Sequence, residues 1–321
     1  MTRPRIAITI GDPAGIGPEI VLKAVSDTEV VAACQPVVVG HEQVLNRCAE
    51  AIGFEPGPYE LVHVKTPGIE NVRPGELSAE AGAAAEACIR RACEMGLAGE
   101  IDAISTAPIN KESLRLAAIP QIGHTEMLAD YLGAPDPLTL FITENMRIFF
   151  LSRHLSLRGA IDYITEERVH EFIKRVYSAM TDFGFATPRI GLAALNPHAS
   201  DGGQFGDEEE KRLIPAASRA RGDGIDVTDP IGADSVFAMA LDGKFDCVIS
   251  LYHDQGHIAA KTRDFHGTVT ATLGLPVLRT SVDHGTAFDI AWKGIANPVS
   301  MKRAILAAVE MLTMRGETTQ N

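Results

Sequence analysis

The chain contains no apolar run approaching the about 18 residues that cross a bilayer, and its opening "MTRPRIAITIGDPAG" has too short an apolar stretch for a secretion signal. No membrane association is expected, and a cytoplasmic location is. Positive charge is also scarce: 29 Lys and Arg against 42 Asp and Glu leave a net charge of −13, spread along the sequence. A nucleic-acid backbone would be repelled, so no nucleic-acid partner is expected and small-molecule chemistry gains. The five cysteines (Cys34, Cys48, Cys88, Cys93, Cys247) are odd in number and include no CxxC pair. That argues for a reducing compartment and against a cysteine metal site, leaving buried small apolar residues as their expected role. There is no GxSxG elbow, so a serine-triad hydrolase is not favoured. No repeat, low-complexity tract or Pro/Ser linker divides the chain, and only the polar tail "RGETTQN" reads as disordered.

What is present is 321 residues, 45% of them hydrophobic, enough for two α/β lobes or one large domain. Strand-like runs such as "IAITI", "PVVVG", "IDAIST", "RIFFLS", "RIGLAAL" and "CVISLY" alternate with helical patterns such as "GPEIVLKAVSD", "EERVHEFIKRVYSAMTDFG", "GDEEEKRLIPAASRAR" and "PVSMKRAILAAVEML". The alternation predicts an α/β fold with a largely parallel sheet. A long Ala-rich helix is predicted from Ser78 to Leu97, without a capping box but with Glu80 well placed in its first turn. Any second domain must share the core closely or be inserted into the first.

Three histidines stand after apolar strand-like runs and beside turn-forming residues: His154 in "IFFLSRHLSLR", His198 in "GLAALNPHASDGG" and His253 in "VISLYHDQGH". Ligands of α/β sheets bind beyond the carboxyl ends of strands, so three imidazoles in such positions can converge on one ion. "HDQGH" superficially resembles the paired zinc ligands of an HExxH protease. It lacks the glutamate, contains Gly256 and is expected to follow a strand rather than lie within a helix, so that reading is rejected.

"GDPAGIGPEI", residues 11 to 20, does not fit GxGxxG, because Pro18, Glu19 and Ile20 follow Gly17 where a third glycine belongs. Pro18 instead reads as the start of a helix with Glu19 in its first turn. Far away, "DHGTAFDIAWKGIANP", residues 283 to 298, has small residues that permit close approach, Gly285 among them, and hydrogen-bonding side chains at His284, Asp289 and Asn297 that suit a base and ribose.

Together with "STAPINK", "GHTE", "LNPHASDGGQFGDEE", "YHDQGH" and "LGLPVLRTSVDHGTA", these two segments resemble the 4-hydroxythreonine-4-phosphate dehydrogenase family, of the isocitrate/isopropylmalate dehydrogenase-like superfamily. The resemblance spans nearly the whole chain. It implies two α/β/α lobes with a cleft between them: residues 1–128 and 268–321 as the cofactor-side lobe, and residues 129–267 as the lobe with the metal site and dimer interface. It implies a divalent metal on His154, His198 and His253, shared across a homodimer so that one subunit's histidine completes the partner's site. Three imidazoles suit zinc first, with cobalt or magnesium as alternatives. Substrate positions fall on His124, Thr125, Lys261 and Arg279, types suited to a phosphorylated hydroxy acid. Asp234 and Asp254 correspond to acids near the metal, as orienters or proton acceptors, and with Lys261 form the implied catalytic set. Gly15, His284, Gly285, Asp289 and Asn297 are the implied dinucleotide positions, with Asp289 favouring NAD over NADP.

One position departs from the family pattern: Thr270 in "GTVTATLG" stands where an asparagine contacting substrate is usual. The implied reaction is oxidation of the 3-hydroxyl of a 4-phosphorylated four-carbon hydroxy acid, with NAD or NADP, to a 3-keto acid that decarboxylates, a step of pyridoxal phosphate formation. The alternatives are a D-threonate or D-erythronate 4-phosphate dehydrogenase, a dihydrodiol dicarboxylate dehydrogenase, and a non-catalytic ligand-binding protein on the same scaffold.

Overall fold

The computed structural model describes residues 3–134 and 136–316. It divides into a first unit, Met1–Pro137 with Val269–Asn321, and a second, Leu138–Thr268, inserted in sequence between the two pieces of the first. Of the tail "RGETTQN", Arg315 ends a helix and Gly316 caps it in the left-handed region; the remainder lies outside the described residues.

In chain order the first unit starts with β1 (Arg5–Thr9), α1 (Gly17–Val25), α2 (Thr28–Ala33), β2 (Gln35–Gly40), α3 (Glu42–Ile52), β3 (Glu60–His63), α4 (Ala79–Leu97), β4 (Ala103–Thr106), α5 (Lys111–Leu116) and α6 (His124–Tyr131). The second unit follows with β5 (Leu138–Thr143), β6 (Met146–Phe150), α7 (Leu157–Tyr163), α8 (Glu166–Asp182), β7 (Ile190–Leu192), α9 (Ile214–Gly222), α10 (Ala233–Leu241), β8 (Cys247–Ser250) and α11 (His253–Arg263). The chain then returns to the first unit with β9 (Val269–Leu273), β10 (Leu278–Val282) and α12 (Val299–Arg315).

Within the first unit the strand order is β3-β2-β1-β4-β10-β9. Every neighbouring pair is parallel except β10 with β9. The buried residues Ile6, Ala7, Ile8, Val37, Val38 and Val39 explain why "IAITI" and "PVVVG" read as continuous apolar runs, because parallel strands are covered on both faces. α4 starts where expected: the Ser78 hydroxyl accepts the Ala81 amide at 3.1 Å, filling an otherwise unpaired donor. Its alanines let α5 approach so closely that a side chain at Gly82 would meet the Ser113 carbonyl at 2.1 Å.

In the second unit the order is β5-β6-β8-β7. β5 and β6 form an antiparallel hairpin, whereas β6, β8 and β7 are parallel. Phe141, Ile148, Phe150, Val236 and Val248 lie in one buried cluster of this unit. The run "GDEEEKRLIPAASRAR" is helical as expected, but it begins with a π-helical turn over Glu209–Leu213 that leads directly into α9, with Pro215 near the start of α9. A proline has no N–H for an interior helical bond, so the hydrogen-bonding pattern changes where Pro215 enters. "HDQGH" is also corrected. It opens α11 and is helical, so rejection of the protease motif rests on the missing glutamate and Gly256. All five cysteines are buried and unbridged, and burial pushes the Cys34, Cys48, Cys88 and Cys93 thiols up to about 12. Among the described residues, no helix is long and apolar enough to cross a membrane.

Candidate active site

The first unit joins the two glycine-rich segments directly. The Ile16 amide donates to the Thr286 carbonyl at 2.9 Å, and a Cβ on Gly15 would lie 2.8 Å from the Thr286 side chain. Glycine at position 15 is therefore required by packing of the chain against itself. Glu19, with no exposed surface, accepts the Ala296 amide at 2.9 Å and the Gly294 amide at 3.2 Å. Lys23 pairs with Glu19 at 2.7 Å and donates to the carbonyls of the same two residues. Of the residues with dinucleotide-binding expectations, Gly285 faces open space and Asp289 is exposed. His284 Nδ1 lies 3.1 Å from the Gly285 carbonyl, while Asn297 Oδ1 is engaged locally by the Val299 amide at 3.0 Å.

Arg279 is the main electrostatic feature of this unit. It is only 4% exposed, on β10 between β4 and β9, and its guanidinium donates to Thr106 Oγ1 at 2.7 Å and to Thr272 Oγ1 at 3.2 Å. Burial lowers its pKa to about 9, with the nearby Asp283 carboxylate acting in the opposite direction, so it remains a cation at neutral pH. Hydroxyls satisfy hydrogen bonds but not charge, and a buried guanidinium bonded to hydroxyls retains capacity for an anion.

Thr106 also lines a cavity of about 130 Å³, with Pro108, Lys111, Gly123, His124 and His284 on its walls. His124 opens α6, and its Nε2 is buried without a hydrogen-bond partner. Burial first, and then the Arg279 charge, hold its pKa well below the usual histidine value, so the ring is neutral. Thr125 follows it in the same turn. Thr270 lies on β9 opposite Ser281 of β10, with its hydroxyl 3.5 Å from Asp283 Oδ1.

The second unit places the three predicted histidines at one sheet edge. His154 follows β6, His198 follows β7 and His253 follows β8, and these three strands are mutually parallel. All three therefore leave the carboxyl edge, where α/β sheets bind ligands. Ile231 forms a parallel bridge with Ala193 just beyond β7, so the turn leading to Asp234 in α10 leaves that edge too.

Each histidine is held differently. His253 Nδ1 lies 2.6 Å from Asp254 Oδ1, which leaves Nε2 as the ring's available lone pair. Its ring stacks on His257 at 3.6 Å, and His257 Nδ1 is taken up by the His253 carbonyl at 2.8 Å. Lys261 lies on the same face of α11, with its amine 5.3 Å from the Phe265 ring. His198 begins four successive left-handed residues, with φ of 53° at His198, 53° at Ala199, 75° at Ser200 and 45° at Asp201. Such non-glycine conformations each cost about 1–3 kcal/mol and persist where surrounding structure fixes them.

Glu209, not among the residues expected to act, holds the segment that leads into this loop. It is 1% exposed, and its carboxylate accepts the Leu195 amide at 2.8 Å and the Asn196 amide at 2.7 Å. The available signal was the acidic run "GDEEEKR" following the strained loop. Among the described residues, only Glu167, His170 and Glu171 bring three potential ligand atoms within 4.8 Å of one another. Within one chain, His154, His198 and His253 share an edge without closing into such a set.

Three imidazoles, one backed by a carboxylate and one on a strained loop, fit a nitrogen-preferring divalent metal. The fold is of the isocitrate/isopropylmalate dehydrogenase-like α/β type. The chain belongs to the PdxA family: the family described as "Pyridoxal phosphate biosynthetic protein PdxA" matches residues 32–308. It is 47% identical over 323 residues to "Putative D-threonate 4-phosphate dehydrogenase" of Halalkalibacterium halodurans, covering 96% of this chain and 97% of that protein. The crystal structure of 4-hydroxythreonine-4-phosphate dehydrogenase from Klebsiella pneumoniae matches with a TM-score of 0.88 at 40% identity, covering 96% of this chain and 99% of the other. A terephthalate 1,2-cis-dihydrodiol dehydrogenase from Burkholderia xenovorans matches less closely, with a TM-score of 0.64 at 31% identity and 98% of each chain covered.

Proposed function

We propose that this chain, a dehydrogenase of the PdxA family, oxidises the 3-hydroxyl of a 4-phosphorylated four-carbon 2,3-dihydroxy acid, D-threonate or D-erythronate 4-phosphate, to a 3-keto acid that loses carbon dioxide. The carrying observation is Arg279, a buried cation bonded to threonine hydroxyls behind a cavity that His124 borders. An aromatic dicarboxylate lacks the compact phosphate that such a cation suits.

His154, His198 and His253 would hold the divalent metal, zinc by donor preference, with His253 supplied by the partner subunit of a homodimer. In support, these rings do not form a closed set within one chain. A divalent metal held there would supply Lewis acidity toward the substrate alcohol, and a bound dinucleotide would be the hydride acceptor. Arg279 grips the phosphate, and neutral His124 adds a hydrogen bond through Nε2. Lys261 supplies a further positive charge. Asp254 orients His253, and Asp234, exposed in the first turn of α10, is the acid available to take the hydroxyl proton. His284, Gly285 and Asp289 face the dinucleotide, with Asp289 accepting from a ribose hydroxyl and so favouring NAD. Gly15 and Asn297 act on that site through the backbone they shape.

Thr270 favours the dihydroxy acids over 4-hydroxythreonine 4-phosphate. Its hydroxyl is shorter than an asparagine amide and lacks the second donor, so it is suited to a different group at C2. The curated relative at 47% identity carries the matching name. A panel of D-threonate, D-erythronate and 4-hydroxythreonine 4-phosphates, with their dephosphorylated forms, NAD and added metal, tests the reading by NADH formation. The phosphorylated dihydroxy acids are expected to give the highest kcat/KM. Equal turnover of the dephosphorylated acids would overturn it.

A further inference from the structure

Lys111 lines the same cavity as His124 and Thr106. Nothing local explains a lysine here. It opens α5, and the first turn of a helix is where a cation is least favoured. The adjacent acid, Glu112, is occupied by Arg115 at 3.0 Å. Glu126 and Lys111 both border Gly123, but among the described residues no carboxylate pairs with the Lys111 amine. The same wall includes the start of α6, which Gly123 caps without a side-chain acceptor.

An unpaired lysine and a neutral histidine with an orphaned nitrogen thus line one space, and Thr106 on the same wall accepts from the buried Arg279. Its size narrows the occupant. About 130 Å³ is well below the roughly 300 Å³ at which pockets enclose whole small molecules, so it takes one end of a ligand.

We propose that Lys111 is a phosphate-gripping residue, the second cation beside Arg279 in a subsite for a phosphate group. The phosphate is either the substrate's monoester or the diphosphate of the dinucleotide. The inference rests on the reading that this chain acts on phosphorylated acids with a dinucleotide, and it extends that reading to a residue outside the expected set. An exposed ammonium on a flexible stem is a mobile point charge, complementing the fixed fork of Arg279.

The test titrates inorganic phosphate against the full chain by calorimetry, comparing wild type with Lys111→Ala and Lys111→Arg. Lys111 is exposed, so both variants should keep the wild-type melting temperature without ligand. Phosphate affinity is expected to fall about tenfold or more in Lys111→Ala and to be largely restored in Lys111→Arg, as for loss of a charge-assisted contact. Steady-state kinetics then separates the sources: a raised KM for the phosphorylated acid assigns the substrate, and a raised KM for NAD assigns the dinucleotide. An affinity within twofold of wild type in Lys111→Ala overturns the proposal, as does a wild type that does not bind phosphate, or unchanged KM values for both ligands. If phosphate binds through Lys111 while no phosphorylated acid is turned over, the reaction assignment falls and the subsite stands.

Discussion

The glycine-rich segments of the first unit and the histidine loops of the second carry the family resemblance equally, but they are built on different physics. "GDPAGIGPEI" and "HGTAFDIAWKGIANP" are locked to each other by a buried carboxylate, a lysine and backbone bonds, so much of their sequence is explained by holding the chain together. The histidines sit on three separate loops after parallel strands, one of them strained over four residues, with side chains that packing alone does not require. The lesson is that a long, strong motif can owe much of its sequence to holding the chain together.

Removing Glu19 should break the first region most severely. Glu19→Ala leaves two amides without their acceptor and Lys23 without its counter-charge, at a cost of about 3–5 kcal/mol, as for one partner of a buried pair. Urea unfolding measures this, and a loss under 1 kcal/mol would mean that the two segments do not depend on each other.

Asp12 sharpens the same region through pH. It has no exposed surface, its Oδ1 accepts the Ala14 amide at 2.8 Å, and burial raises its pKa from 3.8 to about 6. The folded state therefore binds its proton more tightly than the unfolded chain. The associated stability is fully present below about pH 4 and is lost as pH rises through about 6, roughly 3 kcal/mol in all. In Asp12→Asn, the drop in unfolding free energy between pH 4 and 7 should shrink by about that amount. Equal drops in the two proteins would refute the burial argument.

The smallest effect falls on the histidine region. Ala199→Gly relieves one left-handed residue beside His198 and should change stability by about 1 kcal/mol or less, because glycine also frees the unfolded chain. Metal affinity should nonetheless weaken as the loop loosens, measured by competition with a chelator. A stability change with unaltered affinity would separate the strain from the site.

Much of this was legible in the sequence. The alternation of patterns, the capped start of α4 and the position of the three histidines after strands all follow from local chemistry that one sequence displays. What was not legible depends on partners distant in sequence. Glu19 reads as a first-turn acid, and nothing near it announces Gly294 and Ala296. Arg279 reads as a ligand residue through resemblance, but its burial between Thr106 and Thr272 exists only once β4, β10 and β9 pair. The short helices α5 and α6 were not legible because one or two turns offer too little apolar periodicity to distinguish from loop, and α11, though 11 residues long, is polar over most of "HDQGHIAAKTR".

We propose phosphate recognition by Arg279 and the chemical step at the histidines. The most direct test measures kcat/KM of wild type, Arg279→Ala and His253→Ala on D-threonate 4-phosphate and on D-threonate. Arg279→Ala should abolish most of the preference for the phosphorylated acid, while His253→Ala should lower both activities by the same factor, more than about 100-fold. A preference that survives in Arg279→Ala, or substantial activity in His253→Ala, would contradict the assignment.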